Sequence, residues 1–180
     1  MSIAVEMVRE QSRKSGSEFH VLMVTGPLIS REDFADIKKT LDPGLPMTLI
    51  EFTPDLMSYL RAANVVVSMG GYNTVTEILS LRQRAVIVPR VNLRAEQLIR
   101  AERLAGRGLV RMLHPAQLTP GRLLAEIRIA SQSPRPDPEL AGIDMRGLDR
   151  ISGQIGNLLG AAMPLIHPSV PALSAVRTEL

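Results

Sequence analysis

The fold is decided by one stretch of the chain, Val65-Val-Val-Ser-Met-Gly-Gly-Tyr-Asn-Thr-Val-Thr-Glu77. In it a β-branched apolar run meets two glycines, and a segment with helical spacing starts within three residues. Continuous apolar runs are typical of parallel strands that are buried on both faces. Glycine lets the backbone turn sharply with a positive φ. The stretch therefore predicts one βα unit of a parallel sheet, made of a strand, a tight glycine turn and a helix.

The same alternation of strands and helices continues on both sides of this unit. Apolar runs predict strands at Phe19–Thr25, Met47–Phe52, Asn64–Ser68, Ala85–Val88 and Leu109–Met112. Helical spacing predicts helices at Ile3–Ser15, Arg31–Thr40, Pro54–Ala63, Asn73–Leu81, Ala95–Ala105 and Pro120–Ala130. Ser30 is the expected N-cap of the second helix. Strands that alternate with helices predict an α/β fold, a Rossmann-like parallel sheet with helices on both faces.

Composition and spacing divide the chain into four segments. Residues 1–131 carry the alternating elements and are the predicted ligand-binding domain. The proline-rich run Ser133–Pro138 predicts a linker at 132–139. Apolar residues at helical spacing predict a closing helix at 140–160, which we expect to dock on the sheet. Three prolines near the C-terminus predict a poorly ordered tail at 161–180.

The composition fits one globular domain without metal chemistry. The chain has 180 residues, of which 45% are hydrophobic, and this is enough for a core. Cysteine is absent, so neither a disulfide framework nor a thiolate metal site can form. The three histidines, His20, His114 and His167, lack the spacing of metal ligands. We therefore expect no metal and no cofactor.

The basic balance of the chain leaves two interpretations open. The pI is about 9.8, but the net charge is only +3. The arginines either lie on solvated helix faces and have no binding role, or they form a surface that favours an anionic lipid or a phosphorylated ligand. Aromatic residues make up 3%, too few for a stacking platform, so we expect no nucleic-acid partner.

Three features of the sequence predict a location in the cytoplasm. No apolar run approaches the roughly 18 residues that span a bilayer. Acidic Glu6 and Glu10 near the start argue against a signal peptide, and no small-residue cleavage site follows them.

The glycine turn at Gly70 and Gly71 has the features of an anion site. The first N–H groups of a helix have no partner within the helix, and the helix dipole places partial positive charge there. We expect Asn73 or Thr74 to cap this helix and to donate to a phosphate oxygen. The alternative is a tight βα turn that binds nothing, since the pattern is neither G-x-G-x-x-G nor a Walker sequence.

Glu77 lies one turn into the same helix, on the side of Asn73 and Thr74. Its carboxylate suits hydrogen bonds from two vicinal hydroxyls such as those of a ribose. The alternative is a glutamate that only stabilises the start of the helix.

A second polar loop follows the next strand, and its members are Asn92, Arg94, Glu96 and Gln97. Ligands of open α/β sheets bind outside the carboxyl ends of the strands. Because both polar loops lie at that edge, we expect them to converge on one crevice.

Five features in order and spacing resemble the C-terminal, donor-binding domain of GT-B glycosyltransferases of family 28. They are Phe52-Thr-Pro-Asp-Leu56, Ala62-Ala-Asn-Val-Val-Val-Ser68, Gly71-x-x-Thr74-x-x-Glu77, Ala85-Val-Ile-Val-Pro89 and Glu96-Gln97. The family includes the bacterial enzyme that adds N-acetylglucosamine to lipid-linked muramyl-pentapeptide. The resemblance implies one half of a GT-B fold and a nucleoside-diphosphate sugar, most simply a UDP-sugar, as the ligand.

The resemblance also implies a set of substrate-binding residues, which are Thr53, Gly70, Gly71, Asn73, Thr74, Glu77, Glu96 and Gln97. In the family, the loop at Thr53 contacts the base, and the turn from Gly70 to Thr74 holds the diphosphate. The position of Glu77 binds the ribose. The pair Glu96 and Gln97 contacts the donor sugar, although a known relative has glutamine at both positions, which leaves the sugar open.

Two parts of the family pattern are missing. The family domain begins with a strand and a glycine-rich loop ahead of the helix at Ile3, and here they are absent. In the strand order 3-2-1-4-5-6 that strand is central, so Phe19–Thr25 and Val65–Ser68 lose their shared neighbour. We expect them to pair directly, or a second chain to fill the gap. The N-terminal acceptor-binding domain, which usually supplies the catalytic base in this family, is also absent.

The implied function is that of the donor-binding domain of a glycosyltransferase, able to transfer a glycosyl group only when an acceptor-binding domain or partner chain completes it. We assign no catalytic residue, since His20 and His114 have the pattern of structural residues. Three alternatives remain: a non-catalytic subunit of a split glycosyltransferase, an inactive fragment, and a sugar-nucleotide 2-epimerase. The epimerase would need an acid/base cluster, and none is visible. Lipid-linked acceptors in this family are compatible with a peripheral membrane contact.

Overall fold

The computed structural model of the chain describes residues 2–15, 19–91 and 95–159. The helices are α1 Ser2–Ser15, α2 Arg31–Lys39, α3 Leu56–Ala62, α4 Tyr72–Ser80, α5 Ala95–Gly106, α6 Pro120–Gln132 and α7 Gly147–Leu158. The strands are β1 Val21–Val24, β2 Met47–Ile50, β3 Val66–Ser68, β4 Ala85–Ile87 and β5 Arg111–Met112. Strands and helices alternate from α1 to α6, which confirms the predicted α/β class.

The strands form two parallel sheets rather than one. β1 pairs with β2 in the register Val21 to Met47, and β4 pairs with β3 on one side and β5 on the other. The predicted direct pairing of β1 with β3 is therefore wrong. In the described part of the chain, both strands keep one edge without a strand partner. The orders β2-β1 and β3-β4-β5 agree with the two flanks, 3-2 and 4-5-6, of the strand order 3-2-1-4-5-6.

Local signals explain where the helices begin. Ser30 accepts a hydrogen bond from the amide of Asp33 at 2.9 Å, which confirms it as the N-cap of α2. Thr119 caps α6 in the same way, ahead of Pro120. A proline at the first helical position costs nothing, because its missing N–H would have had no partner there. Helix α3 begins at Leu56 rather than at Pro54, because Asp55 is its N-cap.

One core joins the two sheets. Helices α1 and α6 pack together. The core cluster consists of Met7, Val8, Val86, Leu113, Leu123 and Ala130. Val21 of β1 and Met47 of β2 are only partly buried against it. All three residues of β4 are buried, so the three-stranded sheet lies closer to the centre of this core.

The proline-rich segment predicted as a linker is packed and hydrogen-bonded. Nη1 of Arg135 donates to the side-chain oxygen of Gln83 at 2.8 Å, and Arg82 forms an ion pair with Asp137 at 2.8 Å. Pro138 is fully buried. Composition predicted a linker here, and these contacts tie the segment to residues 82 and 83.

Residues 144–159 belong to a second compact unit, which contains α7. The helix is shorter than the predicted segment 140–160. Near its start, the N–H of Arg146 donates to the Asp144 carboxylate and lowers the pKa of that group. Docking of this helix on the sheet stays a prediction, and the predicted tail 161–180 lies outside the described residues. Among the helices that the structure describes, none is both long and apolar enough to cross a bilayer.

Candidate functional site

The glycine turn after β3 depends on glycine for two reasons. Gly70 has φ +79°, a conformation that side chains with a Cβ rarely adopt. A Cβ at this position would also lie 2.8 Å from Cγ2 of Ile87. The amide of Gly70 donates to the Ser68 hydroxyl at 3.2 Å, which closes the turn on the side of the strand. The predicted strand, glycine turn and helix are therefore confirmed.

The start of α4 presents backbone donors that the protein itself does not use. Gly71 is the N-cap and has no capping side chain, and the first helical hydrogen bond runs from Val75 N to Gly71 O at 2.9 Å. Within the described ranges, nothing accepts a hydrogen bond from the amides of residues 71–74. Such amides, together with the helix dipole, favour an anion.

The predicted capping role of Asn73 and Thr74 is wrong. Helix α4 already begins at Tyr72, so both residues lie inside its first turn. Gly71 has a non-helical backbone, with φ −57° and ψ 149°, and is the N-cap of α4. It directly follows Gly70, the residue with positive φ. The Asn73 side chain is exposed and that of Thr74 is half-buried. Their backbone amides are unpaired donors at this end of the helix in the described part of the chain, and donation from their side chains to a phosphate oxygen stays a prediction.

Glu77 is half-buried one turn further along α4. In the part of the chain that the structure describes, no cation or hydroxyl pairs with its carboxylate, although its backbone carbonyl accepts from Leu81 N and the Ser80 hydroxyl. The carboxylate is therefore available to a ligand hydroxyl.

The second predicted loop reaches the glycine turn through an arginine. Gln97 lies near the start of α5, and its side-chain oxygen accepts from the amide of Arg90 at 3.3 Å. Nε of Arg90 lies 3.2 Å from the sulfur of Met69, which precedes the turn. Glu96 is an exposed neighbour of Gln97. Asn92 and Arg94, which complete the predicted polar cluster, lie outside the described residues.

Thr53 follows the other sheet. It comes after β2, is half-buried, and its hydroxyl accepts a hydrogen bond from the Asp55 amide at 3.2 Å. That bond holds the loop ahead of α3, whose N-cap is Asp55. The preceding side chain, Phe52, is 58% exposed.

Two arginines near the glycine turn were not predicted from the sequence as site residues. Arg90 borders the turn as described, and Arg100 donates from Nη1 to the Gly70 carbonyl at 2.9 Å. Arg100 also stacks on Tyr72, with Cζ 5.5 Å from the ring centroid. A signal was present, because Arg100 comes four residues after Glu96 and three after Gln97, which places all three on one helix face.

The two described histidines have structural partners. Nε2 of His20 lies 2.8 Å from the Thr48 hydroxyl on the neighbouring strand. His114 caps a short 3₁₀ helix, Pro115–Gln117, by accepting from the Ala116 amide at 3.2 Å. These partners are compatible with the structural interpretation of both, which stays a prediction. Over the described ranges, no group of three or more acidic or histidine side chains could hold a metal ion.

Comparison with known proteins gives a consistent result. Residues 2–139 match the glycosyltransferase family 28 C-terminal domain. An uncharacterized glycosyltransferase of Methanopyrus kandleri is 31% identical over 110 residues, which are 61% of this chain and 31% of that protein. The UDP-N-acetylglucosamine--N-acetylmuramyl-(pentapeptide) pyrophosphoryl-undecaprenol N-acetylglucosamine transferase of Shouchella clausii is 34% identical over 76 residues, 41% and 22% of the two chains. The chain thus spans about a third or less of these relatives.

Solved structures share the fold. The calicheamicin glycosyltransferase CalG4 superposes with a TM-score of 0.63 at 21% identity, over 89% of this chain and 39% of that one. Glycosyltransferase VinC, solved in complex with dTDP, superposes with a TM-score of 0.60 at 20% identity. The match covers 88% of this chain and 36% of VinC. Both are GT-B glycosyltransferases, so the predicted fold is confirmed as one half of that architecture.

Proposed function

We propose a ligand for this chain from the premise that it belongs to the glycosyltransferase family 28 C-terminal domain family. The proposed ligand is a nucleoside-diphosphate sugar, most simply a UDP-sugar, which is the donor of a glycosyl transfer. The observation that carries the proposal is the group of unused amides at residues 71–74, at the carboxyl end of β3. The dTDP bound to a neighbour of the same fold and the UDP-sugar in the name of a relative support the same ligand class.

The proposed pose divides the ligand among the two loops. The diphosphate lies at the amides of Gly71 and of the first turn of α4. The carboxylate of Glu77, one turn further, accepts hydrogen bonds from two ribose hydroxyls, and the loop at Thr53 contacts the base. The donor sugar lies towards Glu96 and Gln97.

The chemistry of this half of the enzyme concerns the leaving group. As the glycosidic bond breaks, the departing diphosphate gains negative charge. Amide donors that already point at that charge stabilise the transition state without reorganisation. The same contacts hold the anomeric carbon in place for attack, which lowers the entropic cost of the reaction. No residue of this chain is proposed as the base that deprotonates the acceptor.

An acceptor-binding domain or partner chain completes the proposed enzyme. Two observations support this part: the chain spans about a third or less of its relatives, and β1 and β3 each keep an edge without a strand partner in the described part. The same open edges favour one alternative, a donor-binding subunit of a split glycosyltransferase. Co-purification of a second chain that restores transfer would support the subunit.

Calorimetry or saturation-transfer NMR against UDP, dTDP and GDP tests the proposal. We expect UDP to bind, and we expect Glu77→Ala to weaken UDP about tenfold, because it removes hydrogen bonds to a charged acceptor. Binding of inorganic pyrophosphate should not change in this variant, since it has no ribose. Glu102→Ala, an exposed glutamate on α5, is the matched control. Failure of all three nucleotides to bind at millimolar concentration would remove the proposed function.

A further inference from the structure

One side chain outside the predicted site connects both ends of the glycine turn. Arg100 on α5 donates to the carbonyl oxygen of Gly70 at 2.9 Å and stacks on Tyr72, the first residue of α4. A guanidinium carries five donors in a rigid plane and also stacks on aromatic faces. A single side chain can therefore hold the carbonyl of the turn and the first ring of the helix together.

This contact fixes the direction of the peptide bond between Gly70 and Gly71. A trans peptide is planar, so the N–H of Gly71 points opposite to the C=O of Gly70. Because Arg100 holds that oxygen, the Gly71 amide faces away from the guanidinium. Two adjacent glycines have little steric resistance to rotation of the peptide between them. A rotated peptide would present an oxygen, which repels anions, in place of the amide.

We propose that Arg100 is a positioning residue that holds the Gly70–Gly71 peptide with its amide, and not its carbonyl, towards the diphosphate of the donor. The inference rests on the proposed function. Arg90 is not assigned this role, because its guanidinium contacts the sulfur of Met69, a weak acceptor, and not the glycine peptide.

The test uses the full chain and three variants. Arg100→Met removes the donor and the stacking group, and Arg100→Lys keeps a charge and one donor. Arg103→Met, an exposed arginine on the same helix, is the matched control. NMR titrations measure the Kd of UDP and of uridine, and the spectrum without ligand reports the Gly71 amide.

Arg100→Met should weaken UDP about tenfold, the effect of one hydrogen bond to a charged group, and leave uridine unchanged. Arg100→Lys should lose about threefold, and Arg103→Met should match the wild type. The Gly71 amide resonance should shift or broaden in Arg100→Met and stay in place in Arg103→Met.

Three results would overturn the inference: equal losses for UDP and uridine, no difference between Arg100→Met and Arg103→Met, or an unchanged Gly71 resonance. If Arg100→Met does not fold, Arg100→Lys decides, since unchanged UDP binding in that variant contradicts the role. Wild-type chain that fails to bind UDP contradicts the proposed function itself. Wild-type binding with an unaffected Arg100→Met contradicts only the role of Arg100.

Discussion

The two sheets of this domain differ in how deeply they are buried. All three residues of β4 are buried, and Val75, Ile78 and Leu79 are buried on α4, the helix that follows β3. In the two-stranded sheet only Met23 is buried, and α2 has no buried residue. The candidate diphosphate site belongs to the well-packed sheet, whereas Thr53, the candidate base contact, follows the other. From this difference we expect the proposed phosphate end of the site to be held rigidly and its proposed base end to be held more loosely.

The largest expected effect comes from the same substitution in both sheets. Ile87→Ala in β4 should destabilise the domain by about 3 kcal/mol, because it leaves a cavity in a packed core. Ile50→Ala in β2 should cost about 1 kcal/mol, because that side chain is only half-buried. Urea unfolding measures both values. Equal losses would show that the two sheets are packed alike.

A pair of glycines sharpens the comparison at the turn. Gly70 and Gly44 both have positive φ, but only a Cβ at Gly70 meets another atom, Cγ2 of Ile87. Gly44→Ala should cost about 1–2 kcal/mol from backbone strain alone. Gly70→Ala should cost about 1 kcal/mol more, since overpacking is added, and should abolish UDP binding. A Gly70→Ala variant as stable as Gly44→Ala, measured by thermal unfolding, would contradict the packed geometry of the turn.

Local stability should follow the same division. Isolated two-stranded sheets are marginal, and amides in poorly packed elements exchange through local opening. We expect the amides of Val86 and Ile87 to exchange at least about tenfold more slowly than those of Leu22 and Met23, a difference of about 1.4 kcal/mol. Hydrogen exchange followed by NMR measures the rates. Equal protection in β1 and β4 would mean that the domain opens as one unit.

The smallest expected effect concerns the contact between α1 and the loop ahead of β2. Arg9 pairs with Asp42 at 2.9 Å and donates to the Thr40 carbonyl at 2.7 Å. The ion pair is partly exposed, so Arg9→Met should cost about 0.5–1 kcal/mol. In Arg9→Met, amide hydrogen exchange should become faster in β1 and β2 and remain unchanged in β4. Arg13→Met, an exposed arginine on the same helix, is the control, and an equal effect of both variants would count against the contact.

Local pattern predicted the elements well, since each depends on neighbours in sequence. The apolar runs placed the five strands that the structure describes, and Gly70 and Gly71 marked the turn that α4 follows. The position of the helix cap was missed, because it depends on the backbone angles of Gly71 and not on the hydroxyl of Thr74 or the amide of Asn73.

Long-range contacts could not be read from the sequence. Arg100 meets the Gly70 carbonyl across 30 residues, and this meeting depends on how α5 lies beside the turn. The proline-rich segment was predicted as a linker, and composition does not show that Arg135 donates to Gln83, 52 residues away. The separation of β1 from β3 likewise depends on pairing between distant strands.

The most direct test of the site is an NMR titration of the amide resonances with inorganic pyrophosphate and then with UDP. The account predicts that pyrophosphate shifts the amides of Gly71, Tyr72, Asn73 and Thr74 while those of β1 and β2 stay in place. UDP should shift the same four amides and, in addition, that of Thr53. Shifts scattered over exposed arginines, with the four amides unmoved, would contradict a diphosphate site at the start of α4.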